Sequence, residues 1–342
     1  MISHERYIKR CLELAAMGFG HTQTNPMVGC VIVHEGNIIG EGYHQRFGEA
    51  HAEVNAIASV QNQDLLRGAT VYVSLEPCAH HGKTPPCCDL LINKGVKEVV
   101  IAMQDPFPKV DGEGIRRMKA AGIKVESGFL EEEAQHLNRR FITYHLKKRP
   151  FIILKWAQSE DGFIGTKGEK RAITHAWSQR LVHQWRGEEA AILIGPETAI
   201  NDDPSLNNRF ADNANPIRVL LDRKLRVPKN LKLFQDGNPL WVMNTQQEKE
   251  EGMIRYLKLP EEDFLTAVLR RLYEEQVVSM LVEGGAGIHQ EFLKANLWDE
   301  LRIGVAPIQL GEGVNAPNWP IGQASVLEME GDTWYTYFNP AS

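Results

Sequence analysis

Short apolar segments alternate with amphipathic segments along this chain, and the alternation limits the possible folds more than any other feature. Apolar runs bounded by turn residues are typical of strands, whereas apolar positions three or four residues apart are typical of helices. In the first part of the chain the strand-like segments are 28–33, 38–43, 70–75, 98–103 and 124–128, and the helix-like segments are 5–17, 49–60, 112–121 and one that starts at 85. This order predicts a sheet flanked by helices, and therefore an α/β fold.

A second alternation begins after residue 150 and predicts a second α/β unit. Its strand-like segments are 151–159, 190–195, 217–222, 239–244, 277–285 and 300–307, and helical patterns cover 175–186 and 261–275. The stretch 196–216 is rich in Asn, Asp and Pro, so we expect a functional or mobile loop there.

The chain length also favours two domains. At a soft prior of ~150 residues per domain, 342 residues correspond to about two. The segment 131–150 is charged and lacks a core pattern, which is typical of a junction. We place the two domains at 1–146 and 147–342.

The charge balance excludes several classes of partner. A net charge of −6 and a pI near 6.1 give no general attraction for nucleic acid or anionic membranes. A phosphorylated substrate would therefore need local Lys and Arg residues. The amino-terminal stretch is charged and amphipathic, unlike a signal peptide, and the apolar runs are far shorter than the ~20 residues of a membrane span. We expect a cytoplasmic protein that binds neither membrane nor nucleic acid.

The cysteines point to metal chemistry rather than to disulfides. An odd number of cysteines without a secretion signal argues against a disulfide framework. Three of the five lie between residues 78 and 88. The five are Cys11, Cys30, Cys78, Cys87 and Cys88.

A set of possible zinc ligands surrounds the third predicted strand. His51 lies at the start of a predicted helix, Cys78 follows the strand, and Cys87 follows a Pro-Pro helix start. One imidazole and two thiolates suit a catalytic zinc, which keeps its fourth position open for water and lowers the pKa of that water to roughly 7. Glu53, two residues after His51, is placed to carry a proton from that water to the ring nitrogen and then to the leaving amino group. The pattern predicts a zinc-dependent deaminase of the nucleobase type.

Two structural interpretations of these residues stay open. The cysteines could be buried without metal beside a surface His, or a closed structural zinc could take Cys88 or a loop His as its fourth ligand. Neither explains why Glu53 stands where it does. We expect Cys11 and Cys30 to be small core residues.

Longer motifs carry a resemblance to a known family. The common deaminase signature ends in PCxxC, whereas here eight residues, AHHGKTPP, separate Cys78 from Cys87. With TNPMVGCVIV at 24–33 and EGYHQRFGEAHAEVNAI at 41–57, this loop resembles the bifunctional deaminase–reductase of riboflavin biosynthesis. The resemblance implies a cytidine-deaminase-like α/β/α domain, which deaminates a phosphoribosylamino-diaminopyrimidinone. It also implies an α/β domain similar to dihydrofolate reductase, which uses NADPH to reduce the ribosyl chain to ribityl.

The resemblance also implies particular site residues. In the first domain, the implied substrate contacts are Asn25, His44, His80, Lys83 and Asp105. In the second, it implies a catalytic Lys155 and a substrate site formed by Lys170, Arg186, Leu206, Arg209 and Glu283. The implied NADPH contacts are Ala157, Ala172, Thr198, Asp202, Gly285, Ala286 and Gly287.

Elementary chemistry agrees with part of this assignment. Backbone N–H groups in the turn VEGGAG, at a helix start, suit the cofactor pyrophosphate. Planar guanidinium groups at Arg186 and Arg209 suit a substrate phosphate. Three positions depart from the family pattern: Phe107 stands in place of Asn, Lys170 in place of Ser and Ala172 in place of Trp.

Two alternative functions remain at this point. One is a deaminase whose second half only binds ligand or mediates oligomerisation. The other is a tRNA- or nucleotide-acting deaminase with a non-catalytic second domain, although the chain lacks a basic, aromatic-rich stripe. We expect Zn²⁺ and NADPH as cofactors, a small phosphorylated pyrimidine as substrate, and a homo-oligomer.

Overall fold

A computed structural model describes residues 4–80, 85–106, 112–166, 172–210, 215–319 and 322–341. The chain divides into two compact units, Met1–Lys148 and Arg149–Ser342. The sequence-based boundary between 146 and 147 lies close to this division, and the activity of each unit remains a prediction. Among the described residues, no helix combines the length and the apolar character needed to cross a membrane.

The first unit is built on a five-stranded sheet with the order β2-β1-β3-β4-β5. The strands β1 and β2 form an antiparallel hairpin, β1 pairs antiparallel with β3, and β3, β4 and β5 run parallel. The strand bounds are β1 Gly29–His34, β2 Asn37–Tyr43, β3 Thr70–Leu75, β4 Glu98–Met103 and β5 Lys124–Ser127. The helices are α1 His4–Ala16, α2 Ala52–Ser59, α3 Cys87–Lys94, α4 Glu113–Ala120, α5 Glu131–Leu137 and α6 Arg139–Lys147, with a short 3-10 helix at Gln63–Leu66.

Both faces of this sheet are buried, which explains its continuous apolar strands. Cys30 and Ile32 belong to a core that includes residues of α2, α3 and α4, whereas Val31 and Val33 belong to a core with residues of α1 and α5. Cys11 is also fully buried, as expected for a small core residue. The unit therefore has three layers, with the sheet between two layers of helices.

The division between the two units falls within 131–150, but the expectation that this segment lacks a core pattern is wrong. Most of this segment forms α5 and α6 within the first unit, and Ala134 and Tyr144 are buried there. The buried Asn138 side chain accepts a hydrogen bond from the Met27 N–H (2.8 Å) and donates one to the Met27 carbonyl (3.0 Å). An asparagine can lie in the core when both the oxygen and the nitrogen of its side-chain amide are hydrogen-bonded. A search for apolar periodicity does not detect such a residue.

The second unit contains a ten-stranded sheet with the order β10-β11-β9-β8-β7-β12-β6-β13-β15-β14. The strands from β11 to β13 in this order run parallel, and the pairs β10–β11, β13–β15 and β15–β14 are antiparallel. The strand bounds are β6 Phe151–Ser159, β7 Ala191–Ile194, β8 Ile217–Leu221, β9 Leu240–Asn244, β10 Lys249–Glu251, β11 Ile254–Lys258, β12 Ser279–Val282, β13 Glu300–Ala306, β14 Ser325–Met329 and β15 Asp332–Phe338. The helices are α7 Ala176–Glu188, α8 Pro196–Asp202, α9 Lys232–Gln235, α10 Phe264–Glu274 and α11 Ala286–Lys294.

Two sequence-based expectations need correction in this unit. The predicted loop 196–216 begins with helix α8, whose first residue is Pro196; proline is tolerated there because the N–H it lacks would have no partner within the helix. The predicted strand 277–285 is shorter, since β12 ends at Val282 and the glycines lie beyond it. The strands β10, β11, β14 and β15 were not predicted; β14 is largely exposed and so lacks a core signal.

A buried ion pair holds the start of β6 against the start of β13. Asp299 is fully buried, and its carboxylate accepts hydrogen bonds from Arg149 Nη1 (2.5 Å), Arg149 Nη2 (2.8 Å) and the Ile152 N–H (2.8 Å). Asp299→Ala would leave the Arg149 charge buried without this partner. We expect a loss of about 3–5 kcal/mol in the free energy of unfolding.

Urea unfolding followed by tryptophan fluorescence measures this loss in the second unit, because every tryptophan of the chain lies after residue 149. The control is Glu250→Ala, which removes an exposed partner of Arg255 and should cost no more than about 1 kcal/mol. Equal losses in the two variants would contradict the role assigned to Asp299.

Candidate metal centre and reductase site

Three predicted metal ligands come together at one edge of the first sheet. His51 immediately precedes α2, Cys78 follows β3, and Cys87 is the first residue of α3. His51 Nδ1 lies 3.6 Å from Cys78 Sγ and 3.3 Å from Cys87 Sγ. The three donor atoms lie within 4.8 Å of one another, which is close enough for a single ion to contact all of them.

The chemistry of the two thiols fits a metal centre. The Cys87 N–H, at the start of α3, donates a hydrogen bond to Cys78 Sγ (3.3 Å). Hydrogen bonding with the Cys87 side chain, and next with His51, lowers the pKa of Cys78 to about 4. The same Cys78–Cys87 contact raises the pKa of Cys87, so the pair holds one proton tightly and releases the other easily. A divalent cation displaces such a retained proton, because a coordinating thiol is deprotonated.

The donor set suits zinc, and Cys88 is not part of it. One imidazole nitrogen and two sulfurs leave one tetrahedral position open, as in a catalytic site. Cys88 is fully buried among Leu91 and other core residues, and its Sγ lies 3.6 Å from an Asp89 carboxylate oxygen. Among the described residues, the group of possible metal ligands at this edge of the sheet consists of His51, Cys78 and Cys87. Cys88 is not part of this group, which argues against a closed site completed by Cys88.

Glu53 lies in the first turn of α2 and is buried. Burial, followed by the nearby Cys78 charge, raises the pKa of Glu53 to about 7. The carboxyl lines the same cavity as His51 and Cys78. This position suits a group that carries protons between a reacting water and a substrate.

The cavity beside these ligands has a volume of about 250 Å³. Four of the substrate contacts implied by the resemblance line it, namely Asn25, His44, His80 and Asp105. Lys83 and Phe107 lie outside the described residues. The cavity is also lined by Thr24, Glu76, Phe141 and His145, which were not predicted.

His44 fixes the orientation of Asn25. The His44 Nδ1–H donates to the Ala50 carbonyl (3.1 Å), so the neutral ring presents Nε2 as an acceptor. The Asn25 amide NH₂ donates to that nitrogen (3.1 Å). Burial lowers the pKa of His44, which favours this neutral form. This contact fixes the orientation of the Asn25 amide. Its oxygen can therefore accept a hydrogen bond only from a defined direction.

Glu76 positions the loop that carries Asp105. Its buried carboxylate accepts backbone N–H groups from Asp105 (3.3 Å), Gly112 (3.0 Å) and Ile115 (3.2 Å). These bonds join the end of β3 to the start of α4. The sequence offered one unused signal for Glu76, since polar residues just after parallel strands often belong to a site.

In the second unit, three predicted residues form a buried cluster of charges. Lys155 lies on β6, Glu283 directly follows the neighbouring strand β12, and Arg186 lies on α7. Glu283 accepts hydrogen bonds from Arg186 Nε and Nη2, each 2.8 Å long, and from Lys155 Nζ at 3.5 Å. Burial alone would raise the pKa of Glu283, but Arg186 and then Lys155 lower it to about 2. Burial lowers the pKa of Lys155. Glu283 is therefore an anion that orients two cations.

Arg209 lies near the same cluster. Its Nη2 is 3.2 Å from His183 Nε2, and Arg186 Nη1 lies 3.5 Å from the Asn207 carbonyl. Burial, then the charges of Arg186 and Arg209, lower the pKa of His183 to about 4. The two arginines therefore act on one small region, next to a neutral imidazole. Leu206, in contrast, is buried in the core, and Lys170 lies outside the described residues.

A second cavity, of about 540 Å³, lies beyond the ends of β7, β8 and β12. Thr198, Gly285 and Gly287 line it, and Ala286 begins α11 between the two glycines. The preceding Gly284 packs tightly against the start of α11, since a Cβ there would lie 2.9 Å from Ile288, whereas a Cβ on Gly287 would meet nothing within 4 Å. A wide cavity at the N-terminus of a helix suits a dinucleotide with its pyrophosphate.

Three other predicted cofactor contacts, Asp202, Ala157 and Ala172, are not among the residues that line this cavity. Asp202 is the last residue of α8, Ala157 is half-buried on β6, and Ala172 is exposed. The end of β8 contributes lining residues that were not predicted: Asp222, Arg223, Lys224 and Arg226. The rule that ligands bind beyond the carboxyl ends of parallel strands would have pointed to them.

Comparisons with known proteins agree with this division into two sites. Residues 1–103 match the model of the cytidine and deoxycytidylate deaminase zinc-binding region, and residues 150–337 match that of the RibD C-terminal domain. The chain is 40% identical over 337 residues to riboflavin biosynthesis protein RibD of Aquifex aeolicus, with coverage of 95% of this chain and 92% of the relative.

Two solved structures resemble the whole chain. RibD of Acinetobacter baumannii superposes with a TM-score of 0.88 and 34% identity, covering 98% of each chain. A diaminohydroxyphosphoribosylaminopyrimidine deaminase/5-amino-6-(5-phosphoribosylamino)uracil reductase of Thermotoga maritima gives a TM-score of 0.87 and 37% identity, covering 97% of each chain. The predicted fold class is confirmed: a cytidine-deaminase-like domain is followed by a reductase domain with a fold like that of dihydrofolate reductase.

The metal centre can be tested with two neighbouring cysteines. Cys87→Ser should lose zinc, because it removes one of three grouped ligands. Cys88→Ser should keep about one zinc per chain, because Cys88 packs in the core. Metal analysis of the two purified proteins measures this difference, and zinc loss confined to the Cys88 variant would overturn the ligand assignment.

Proposed function

The chain belongs to the RibD family of riboflavin biosynthesis proteins, and on that premise we propose which reaction each of its two sites performs. It is a bifunctional enzyme, a zinc-dependent deaminase and an NADPH-dependent reductase. The first substrate is 2,5-diamino-6-(5-phosphoribosylamino)pyrimidin-4-one, in keeping with the name of the Thermotoga maritima relative. The grouping of His51, Cys78, Cys87 and Glu53 beside one cavity carries this proposal.

At the deaminase site the protein binds, orients and moves protons. His51, Cys78 and Cys87 would hold the zinc, which would supply an activated water beside the amino-bearing ring carbon. The Glu53 carboxylate would take one proton from that water and pass it to the ring nitrogen while the water oxygen bonds to the ring carbon. It would then move the second proton of the same water from that oxygen to the amino group, so that the C–N bond breaks, a carbonyl forms and ammonia departs. Asn25, oriented by His44, and Asp105, held by Glu76, hydrogen-bond the heterocycle. His80 and Lys83 complete the substrate site.

At the reductase site the protein positions the deaminated product beside the cofactor. NADPH, when bound, supplies the hydride that converts the ribosyl chain to ribityl. Lys155, oriented by Glu283, provides the proton-bearing group at the reacting end of the substrate. Arg209, together with Arg186 next to it, holds the phosphate, while Lys170 and Leu206 border the substrate.

The cofactor lies along the starts of α8 and α11 in this proposal. Thr198, Gly285, Ala286 and Gly287 contact it there. Ala157, Ala172 and Asp202 contact its parts outside the described cavity.

The alternative functions are not favoured, because the second unit matches the RibD C-terminal domain over 150–337 and the relatives match along nearly the whole chain. We assign deamination to residues 1–146 and reduction to 147–342. We further propose a cytoplasmic homo-oligomer that does not use nucleic acid. Light scattering coupled to size-exclusion chromatography measures the oligomeric state. A salt-dependent gel shift with RNA tests whether the protein binds nucleic acid.

The two reactions should be separable in a single variant. Glu53→Gln should keep zinc and fold but lose deamination by about 10²-fold or more, because the proton carrier is missing. It should still reduce the product that has already been deaminated, because the cluster around Glu283 lies in the other unit. Mass analysis after incubation with each compound, with and without NADPH, measures both steps.

The wild-type chain provides the reference for this experiment. It should lose the amino group without NADPH and gain two hydrogens only with NADPH. Near-normal deamination by Glu53→Gln would show that another group carries the proton. A wild-type chain inert toward the diaminopyrimidinone would overturn the proposed substrate.

The phosphate assignment predicts a selective change in KM. Arg209→Lys should raise the reductase KM roughly tenfold or more, since a charge-assisted hydrogen bond is worth ~1.5–3 kcal/mol and lysine cannot form a planar two-bond contact with phosphate. Arg186→Lys should raise the KM as well, because lysine cannot form the two-bond contact with Glu283 that orients Arg186. The Kd for NADPH should stay nearly unchanged. Steady-state kinetics and cofactor titration measure the two quantities. Arg270→Lys, at an exposed position of helix α10, is the control. Wild-type KM in both test variants would mean that the phosphate binds elsewhere.

A further inference from the structure

One wall of the deaminase cavity comes from helix α6. Phe141 and His145 both line the cavity and lie one helical turn apart, with their rings in edge contact at 4.5 Å between centroids. Phe141 is the largest apolar side chain among the described residues that line it. The match to the general deaminase zinc-binding region ends at residue 103, so α6 lies outside the part shared with cytidine deaminases.

Helix α6 is hydrogen-bonded to the segment that carries Asn25. At its start, the buried Asn138 side chain bonds both the N–H and the carbonyl of Met27. Near its end, His145 Nε2 lies 3.3 Å from the Thr24 carbonyl, which can only accept, so this nitrogen carries the proton. The two contacts bracket Asn25 and Pro26 on both sides. The position of Asn25 therefore depends on α6, although more than 110 residues separate them in the sequence.

We propose that α6 is a substrate-binding wall of the deaminase cavity. Phe141 packs against the pyrimidine ring of the substrate, and Asn138 and His145 are positioning residues that hold Asn25 toward that ring. This inference rests on the proposed function, because it takes the diaminopyrimidinone as the ligand. A flat heterocycle buried in a small cavity gains from an aromatic neighbour, since both rings lose apolar surface to water and can adopt an offset or edge arrangement.

The wall is tested by binding rather than by turnover. In the Glu53→Gln chain, which should bind without reacting, isothermal titration with the diaminopyrimidinone phosphate gives a Kd. Adding Phe141→Ala should weaken binding about tenfold, and Phe141→Leu, which keeps most of the volume, should weaken it less. Zinc content should stay at one per chain in each variant, because no ligand changes, and this confirms that the first unit is folded.

The positioning role needs a variant that keeps the hydrogen bond. His145→Ala should weaken binding several-fold, whereas His145→Gln retains an N–H donor for the Thr24 carbonyl and should restore most of it. With Glu53 intact, the His145→Ala change should appear mainly in KM rather than in kcat. Leu146→Ala is the matched control, because Leu146 lies on the same helix, is 51% exposed and is not among the cavity residues.

The outcomes separate this proposal from the one on which it rests. A wild-type chain that does not deaminate the compound would overturn both. A wild-type chain that does, together with an unchanged Kd in zinc-loaded Phe141→Ala, would overturn the wall alone. Equal losses in His145→Ala and His145→Gln would overturn the positioning role of His145.

Discussion

Both sites depend on one constraint, which is that parallel strands bring their carboxyl ends to the same edge of a sheet. In the first unit, Glu76 and Cys78 leave β3 and Asp105 leaves β4 at that edge. In the second, Thr198, Arg223 and Glu283 follow β7, β8 and β12 in the same way. The central strands are buried on both faces and carry mostly apolar side chains. Most polar groups of the two sites therefore lie on the loops and helix starts beyond the strand ends, and Lys155 on β6 is an exception.

Burial has opposite consequences for two carboxyl groups in this chain. Burial, and next the nearby charge of Cys78, raises the pKa of Glu53 to about 7. Glu283 is equally enclosed, but Arg186 and Lys155 contact it and lower its pKa to about 2. The same residue type therefore suits proton transfer in one unit and permanent charge in the other. The difference arises from the neighbours, since desolvation acts in the same direction on both.

Polar anchors explain where the fold departs from a simple reading of hydrophobicity. Asn138 holds α6 to the segment before β1 through two hydrogen bonds with backbone groups. Glu76 accepts three backbone N–H groups, one just after β4 and two at the start of α4. Each anchor joins distant parts of the sequence, and each is adjacent to the deaminase cavity. Buried polar groups of this kind favour one arrangement of the chain, because the folded state is less stable when any of their hydrogen-bond partners is missing. A cavity framed in this way has walls whose spacing is set by hydrogen bonds.

The sequence by itself predicted the two α/β units and singled out His51, Cys78, Cys87 and Glu53, because strand periodicity and ligand spacing are local properties that survive without coordinates. It also predicted Asn25, His44, His80 and Asp105 at one cavity, through resemblance rather than through geometry. The role of segment 131–150 needed the tertiary structure, since Phe141 and His145 line the cavity from a helix whose N-cap, Asn138, pairs with a backbone more than 110 residues away. The bidentate contact between Arg186 and Glu283 needed it as well, because nothing local relates a residue on α7 to one that follows β12. Long-range pairing of polar groups leaves no periodic trace in a sequence, and here it decides the shape and the charge of both sites.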